Sequence, residues 1–225
     1  MKNKFIRNTL ILSVVSLVVV AVPTLLTSTG IMDAYSSGVF ALAGIYAIMA
    51  ISVNIISGIT GQLSLGQAGF MALGAYATIL LNTNAHVPLP LAVICAGLIT
   101  AFFGFLIGFP TLKLEGDYLA IVTLAFGEII RVILVNLKQW TGGPNGKSFP
   151  TILTLNPTVA VLVVASVLVL VVVLVQNIVR STFGRAILAV REDEIAANSC
   201  GIHVFHYKMA GFVLASFVAG IGGAL

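Results

Sequence analysis

Charge is in short supply in this chain of 225 residues: 11 Lys or Arg and 7 Asp or Glu, together 8 % of the sequence. Soluble domains carry about a quarter of their residues as charges, so a water-covered globular fold is excluded at the outset. Cysteine is rarer still, with Cys95 in an apolar run and Cys200 at the end of a polar stretch. The two are expected at different depths and neither has a metal ligand at usable spacing, so no disulfide and no metal site is expected. Only three histidines occur, His86, His203 and His206, all in predicted loops or at span ends. No nucleophile stands with a histidine and a carboxylate beside it, which leaves no catalytic residues to assign. Nucleotide binding is missing as well. "TGGPNGKS" (Thr141 to Ser148) approaches the phosphate-loop pattern but has Thr141 where the first glycine belongs. It also lacks the preceding strand and following helix that would cradle phosphate. The segment reads as a tight external turn, with Trp140 as an interfacial anchor and a possible partner contact.

What the chain does have is apolar length. Hydrophobic residues make up 59 % of it, and its mean hydropathy is +1.14. Runs able to cross a hydrocarbon core of roughly 30 Å define an all-α polytopic membrane protein with about seven transmembrane helices. The predicted spans are 9–28, 38–57, 62–82, 89–109, 118–137, 158–177 and 207–225. The basic start resembles a signal peptide, but its apolar run is too long for cleavage and reads as a signal anchor. Span 62–82 is the least apolar and is the candidate for a broken or re-entrant helix.

The net charge of +4 does not point to nucleic acid, because the basic residues are scattered at span ends. They report topology instead. With the N-terminus in the cytoplasm, Lys2, Lys4, Arg7, Lys113, Arg180, Arg185, Arg191 and Lys208 fall inside, against Lys138 and Lys147 outside. That asymmetry follows the positive-inside rule.

Three groups of polar residues need an explanation in so apolar a chain. Glu128 and Arg131 are three apart within span 118–137, hence on one helical face, where they either pair or line a path for a zwitterionic solute. In span 62–82, Ser64, Ala68, Ala72 and Ala75 form a small-residue stripe for close helix packing. Gln62, Ser64 and Gln67 accompany it and require polar partners or a path to line. Lastly, "GRAILAVREDEIAANSCGI" (Gly184 to Ile202) crowds Arg185, Arg191, Glu192, Asp193 and Glu194 into one predicted short helix bounded by glycines. Its apolar knobs beside charges suit a groove on another protein.

These stretches, with "TGQLSLGQAGFMALGAYA" (Thr60 to Ala77), "LEGDYLAIVTLAFGEIIRVIL" (Leu114 to Leu134) and "TGGPNG" (Thr141 to Gly146), resemble the permease subunits of branched-chain amino acid ABC importers, the LivM type. The resemblance runs from about Val39 to Leu225. It implies a single permease domain in a bacterial inner membrane, forming part of a path for Leu, Ile and Val. It also implies a second related permease, two cytoplasmic ATPases that bind the ATP, and an extracytoplasmic solute-binding protein; the chain itself needs no cofactor. Residues 184–202 look like the coupling helix inserted into the ATPase, with Gly184, Arg185, Arg191, Glu192, Asp193, Glu194, Ala196, Ala197 and Gly201 as its working residues. Ala196, Ala197 and Gly201 match the importer signature, whereas Ile195 occupies its Glu position and Glu194 stands one place earlier. Related permeases are usually longer, so the resemblance implies a C-terminally truncated chain. A urea or short-amide importer permease is the neighbouring alternative. An ion-coupled secondary transporter using Glu128 and Arg131 is the more distant one.

Overall fold

A computed structural model describes residues 18–30, 32–114, 116–147 and 156–225. Lys2, Lys4, Arg7, Ser148 and the first half of span 9–28 lie outside the described residues. The described elements are helices, as expected: α1 (Val18–Ser28), α2 (Ala34–Val53), α3 (Gln67–Ala85), α4 (Leu89–Thr111), α5 (Asp117–Asn136), α6 (Lys138–Thr141), α7 (Pro157–Arg180), α8 (Thr182–Glu192), α9 (Glu194–Ser199) and α10 (Val204–Ala224). A π-helical turn, Asn54–Ile59, continues α2 directly, and a 3₁₀ turn, Gly143–Asn145, follows α6.

Among the described residues, five helices are long and apolar enough to cross a membrane: α2 with its π turn, α4, α5, α7 and α10. Each covers a predicted span within a few residues. The third predicted span differs. Its helix starts at Gln67 rather than 62, and residues 61–66 are not helical. Gly61 sits at φ +69°, a conformation that ends the helix before it and that favours glycine. With Gln67, Thr78, Asn82 and Asn84 aboard, α3 is also the least apolar of the long helices.

The chain divides into two compact units. In the first, built from described residues up to Ala47 and from Pro157 to Val173, the buried side of α7 carries Val161, Val164, Ala165 and Val171. Gly44 of α2 lies against that side, where a Cβ would approach Val164 Cγ1 to 2.6 Å.

The second unit, residues 48–149 and 174–225, is organised around α10, which packs on α3 and α4. Phe212, Ala215 and Ala219 of α10 are fully buried, and Phe212 meets Phe70 of α3 edge-on at 5.8 Å between ring centroids. The backbones come closer still at glycines. A Cβ on Gly74 would collide with the Gly220 backbone, and one on Gly223 with the Met71 carbonyl. In a bilayer, where lipid is as apolar as leucine, such backbone-to-backbone packing is what holds helices together. Close packing of α3 thus runs through its glycines, Gly69 facing Gly127 of α5 as Gly74 faces Gly220, and not through the expected Ser64, Ala68, Ala72 and Ala75 stripe, of which Ala68 is exposed and Ala72 and Ala75 are only half-buried within the chain.

Candidate functional site: the helix break and the α8–α9 elbow

Residues 61–66 form a non-helical segment whose residues alternate between surface and interior. Gln62 and Ser64 point inward at 4 % and 3 % exposure, while Leu63 and Leu65 point outward at 49 % and 55 %. This is the reverse of the usual arrangement, in which apolar side chains fill the core. Interior placement leaves the Gln62 amide and the Ser64 hydroxyl without protein partners. Gln67 does better: the one proton of the Ser52 hydroxyl lies between its Oε1 (3.1 Å) and the Ala215 carbonyl (2.7 Å), while the Gln67 Nε2 is unpaired. Two backbone bonds fix the segment, Gln62 N–H to the Ile56 carbonyl (2.9 Å) and Leu65 N–H to Thr123 Oγ1 (3.1 Å). Irregular backbone at membrane depth is stable only inside protein or beside water, so a segment of this kind marks a packed or hydrated location rather than a lipid-facing one.

The polar stretch 184–202 is expected as one helix and is built as two. Asp193 breaks it: with extended backbone (φ −157°, ψ 111°), its carboxylate accepts the N–H groups of Ile195 and Ala196 at 2.8 and 3.0 Å. An aspartate that caps the next helix satisfies orphan donors and cannot continue the preceding one. Ser181 caps α8 in the same way, accepting from Gly184 N–H at 3.2 Å. Gly184 itself lies so close to the Ile178 and Val179 carbonyls that no side chain fits there. Gly201, at φ +81°, closes α9 with an Ile202 N–H to Ala197 carbonyl bond of 3.0 Å, a Schellman-type stop. One face of the elbow, Ile187, Val190 and Ala197, is buried, whereas Ile195 is 81 % exposed beside Glu192, Asp193 and Glu194. Arg185 and Ala196 are exposed too.

Two elbow residues reach back to the transmembrane helices. Arg191 donates from Nη1 to the Gly58 carbonyl in the π turn. Glu194 forms an ion pair with Lys208, whose side chain is only 13 % exposed in the first turns of α10. This pair gives Glu194 an intrachain partner, one place ahead of the signature position. The break, the α4–α5 turn and the elbow wall a single pocket of about 620 Å³, with Gln62, Leu63, Asp117, Glu192, Glu194 and Lys208 among its lining. Three loops that the charge asymmetry assigns to one side of the membrane thus meet in one place. Gly58, Asp117 and Lys208 were not legible as members of this site. The available signal was Lys208, a lone cation at the start of an apolar helix, which needs a partner.

Glu128 and Arg131 take no part in that pocket. They pair with each other across one helical turn, Arg131 Nε donating to both Glu128 oxygens at 2.9 and 3.0 Å, on a face of α5 left open within the chain. The "TGGPNG" turn places Gly142, Gly143 and Gly146 at positive φ, as a tight turn requires, with Trp140 exposed beside it. Cys95 and Cys200 are free thiols.

These features define a helical, multi-pass inner-membrane protein with a polar elbow bound to the end of a broken transmembrane hairpin. Residues 35–225 match the family described as branched-chain amino acid transport system / permease component, and the chain belongs to that family. It is 39 % identical to the high-affinity branched-chain amino acid transport system permease protein LivM of Salmonella typhimurium, over 80 % of this chain and 49 % of that protein. With LivM of Escherichia coli the identity is 38 %, over 95 % of this chain and 56 % of the relative. The nucleoside ABC transporter permease protein NupC of Lactococcus lactis is 24 % identical, over 97 % and 68 % respectively. The chain spans about half the length of the two LivM proteins. No solved structure matches it significantly.

Proposed function

We propose that this chain forms part of the membrane path of an ATP-driven importer for branched-chain amino acids. Its partners are a second related permease, two ATPases that bind and hydrolyse the ATP, and an extracytoplasmic binding protein that delivers the solute. In this reading the ATP is held by the partner ATPases and not by this chain. The observation that carries the reading is the convergence of the break, the α4–α5 turn and the α8–α9 elbow on one pocket. Force applied to the elbow from the cytoplasm is thereby delivered where a transmembrane helix is already interrupted. The exposed Ile195 beside Glu192, Asp193 and Glu194 is the knob for a groove on the ATPase, and the N-terminus lies on the same side of the membrane as the elbow. The 1–225 segment acts as one permease domain, with alternating access produced by helix movement. Gln62, Ser64 and Gln67 bring hydrogen-bonding capacity to the inner end of the path.

Uptake of labelled leucine by membranes carrying the complete transporter, challenged with excess isoleucine, valine, a nucleoside or urea, tests this reading. Competition by isoleucine and valine alone supports it. Competition by the nucleoside or urea instead assigns the path to another solute, and uptake abolished by a proton uncoupler at constant ATP assigns it to ion-coupled transport.

A further inference from the structure

The elbow's two ties to the transmembrane helices are of different kinds. Glu194 holds Lys208 on α10, the helix whose backbone is locked against α3 at Gly220 and Gly223. Arg191 holds the Gly58 carbonyl, in a π turn at the end of α2. The last carbonyls of a helix lack intrahelical donors and carry the negative end of its dipole, so a guanidinium arriving from outside is their natural partner. Gly61 makes room for it. Besides needing positive φ, Gly61 lies under the same side chain, where a Cβ would stand 2.9 Å from Arg191 Cγ. Immediately beyond is the non-helical segment, with Gln62 and Ser64 buried but unpaired. One tie thus ends on the tightest-packed helix of the unit, the other on its least regular stretch. π turns are rare and are frequent at functional sites.

We propose that Arg191 is a positioning residue that works inward. Its bond to the Gly58 carbonyl passes displacement of the α8–α9 elbow to the end of α2, so that residues 60–66, rather than the α10 bundle, rearrange during transport. The proposal rests on the importer reading, which supplies the ATPase that moves the elbow. It replaces a direct Arg191 contact with that ATPase by a link within the chain.

The test uses the full-length protein with its partners in native membranes and compares Arg191→Ala, Arg191→Lys and Gly61→Ala. Two quantities are measured, the ATPase retained on mild detergent purification and the solute taken up per ATP hydrolysed, both normalised to inserted chain. Arg191→Ala and Gly61→Ala are expected to keep the ATPase while solute per ATP falls about tenfold, a typical coupling magnitude. Arg191→Lys, which still presents a cationic donor to one carbonyl, recovers part of that loss. Gly61→Ala disturbs the contact without changing charge, and if it fails to accumulate, the Arg191 pair still decides, since that side chain lies at the surface of the elbow. Loss of the ATPase from Arg191→Ala overturns the proposal in favour of a docking role, as does wild-type uptake per ATP in that variant. A wild-type chain that retains no ATPase and shows no ATP-dependent uptake defeats the importer reading itself.

Discussion

Around Gly74 and Gly220 two helices of the second unit meet backbone to backbone, while at Gln62 and Ser64 of the same unit buried polar groups stand without partners. Both places are rich in small residues, and Gly74, Gln62 and Ser64 all come from the stretch 62–82 read as a single span. The first uses glycine to remove all space between α3 and α10. The second uses glycine to end a helix and let a guanidinium approach. Small residues in a membrane helix therefore do not mark one role: beside a neighbouring glycine they mean rigidity, and beside a cation and an unpaired amide they mean a place built to change.

The contrast is most easily broken at its rigid end. Gly74→Leu puts a branched side chain into the Gly220 backbone; overpacking costs about 1–3 kcal/mol even where side chains can yield, and backbone cannot. Loss of the monodisperse peak in detergent gel filtration is expected. Gly38→Ala on α2, where nothing lies within 4 Å, should leave that peak intact. A normal peak from Gly74→Leu would show that the close approach is not needed. Charge reversal at the elbow comes next. Arg191→Glu sets a carboxylate against the Gly58 carbonyl and should abolish uptake while membrane insertion, read by protease protection, is unchanged. Full uptake in this variant would remove the elbow from the mechanism.

Smaller effects sharpen the picture. Asp193→Ala removes the cap of α9, an interaction worth about 1 kcal/mol, and should loosen the elbow enough to raise hydrogen exchange at Ile195 and Ala196 without abolishing uptake. Protection equal to wild type would mean that packing of Ala197 alone holds α9 in place. Gln62→Leu is expected to leave thermal stability nearly unchanged, because it replaces an unpaired buried amide by an apolar group of similar size. Its uptake should nevertheless fall. A large loss of stability would show that the amide is fully hydrogen-bonded in the working protein.

Much of this was legible in advance because hydropathy and helix length are linked by a simple rise per residue. The five longest apolar helices coincide with predicted spans for that reason. The glycines of "TGGPNG" were readable too, since their turn demands positive φ. Three features escaped for physical reasons. Asp193 has ordinary helical neighbours, and whether it continues one helix or caps the next depends on where the chain must turn. Lys208 and Gly58 belong to the site through contacts more than ten and more than a hundred residues away from their elbow partners, and no local periodicity reports such contacts. The inward placement of Gln62 and Ser64 likewise depends on strand-like alternation in six residues that lie between helices.

The most direct test of the central claim places a cysteine at Ile195, in a Cys200→Ser background so that the exposed native thiol does not compete. The account predicts that, in native membranes, this cysteine cross-links to an ATPase subunit and resists a membrane-impermeant thiol reagent added from outside. Labelling from outside, or cross-linking only to the solute-binding protein, would contradict it.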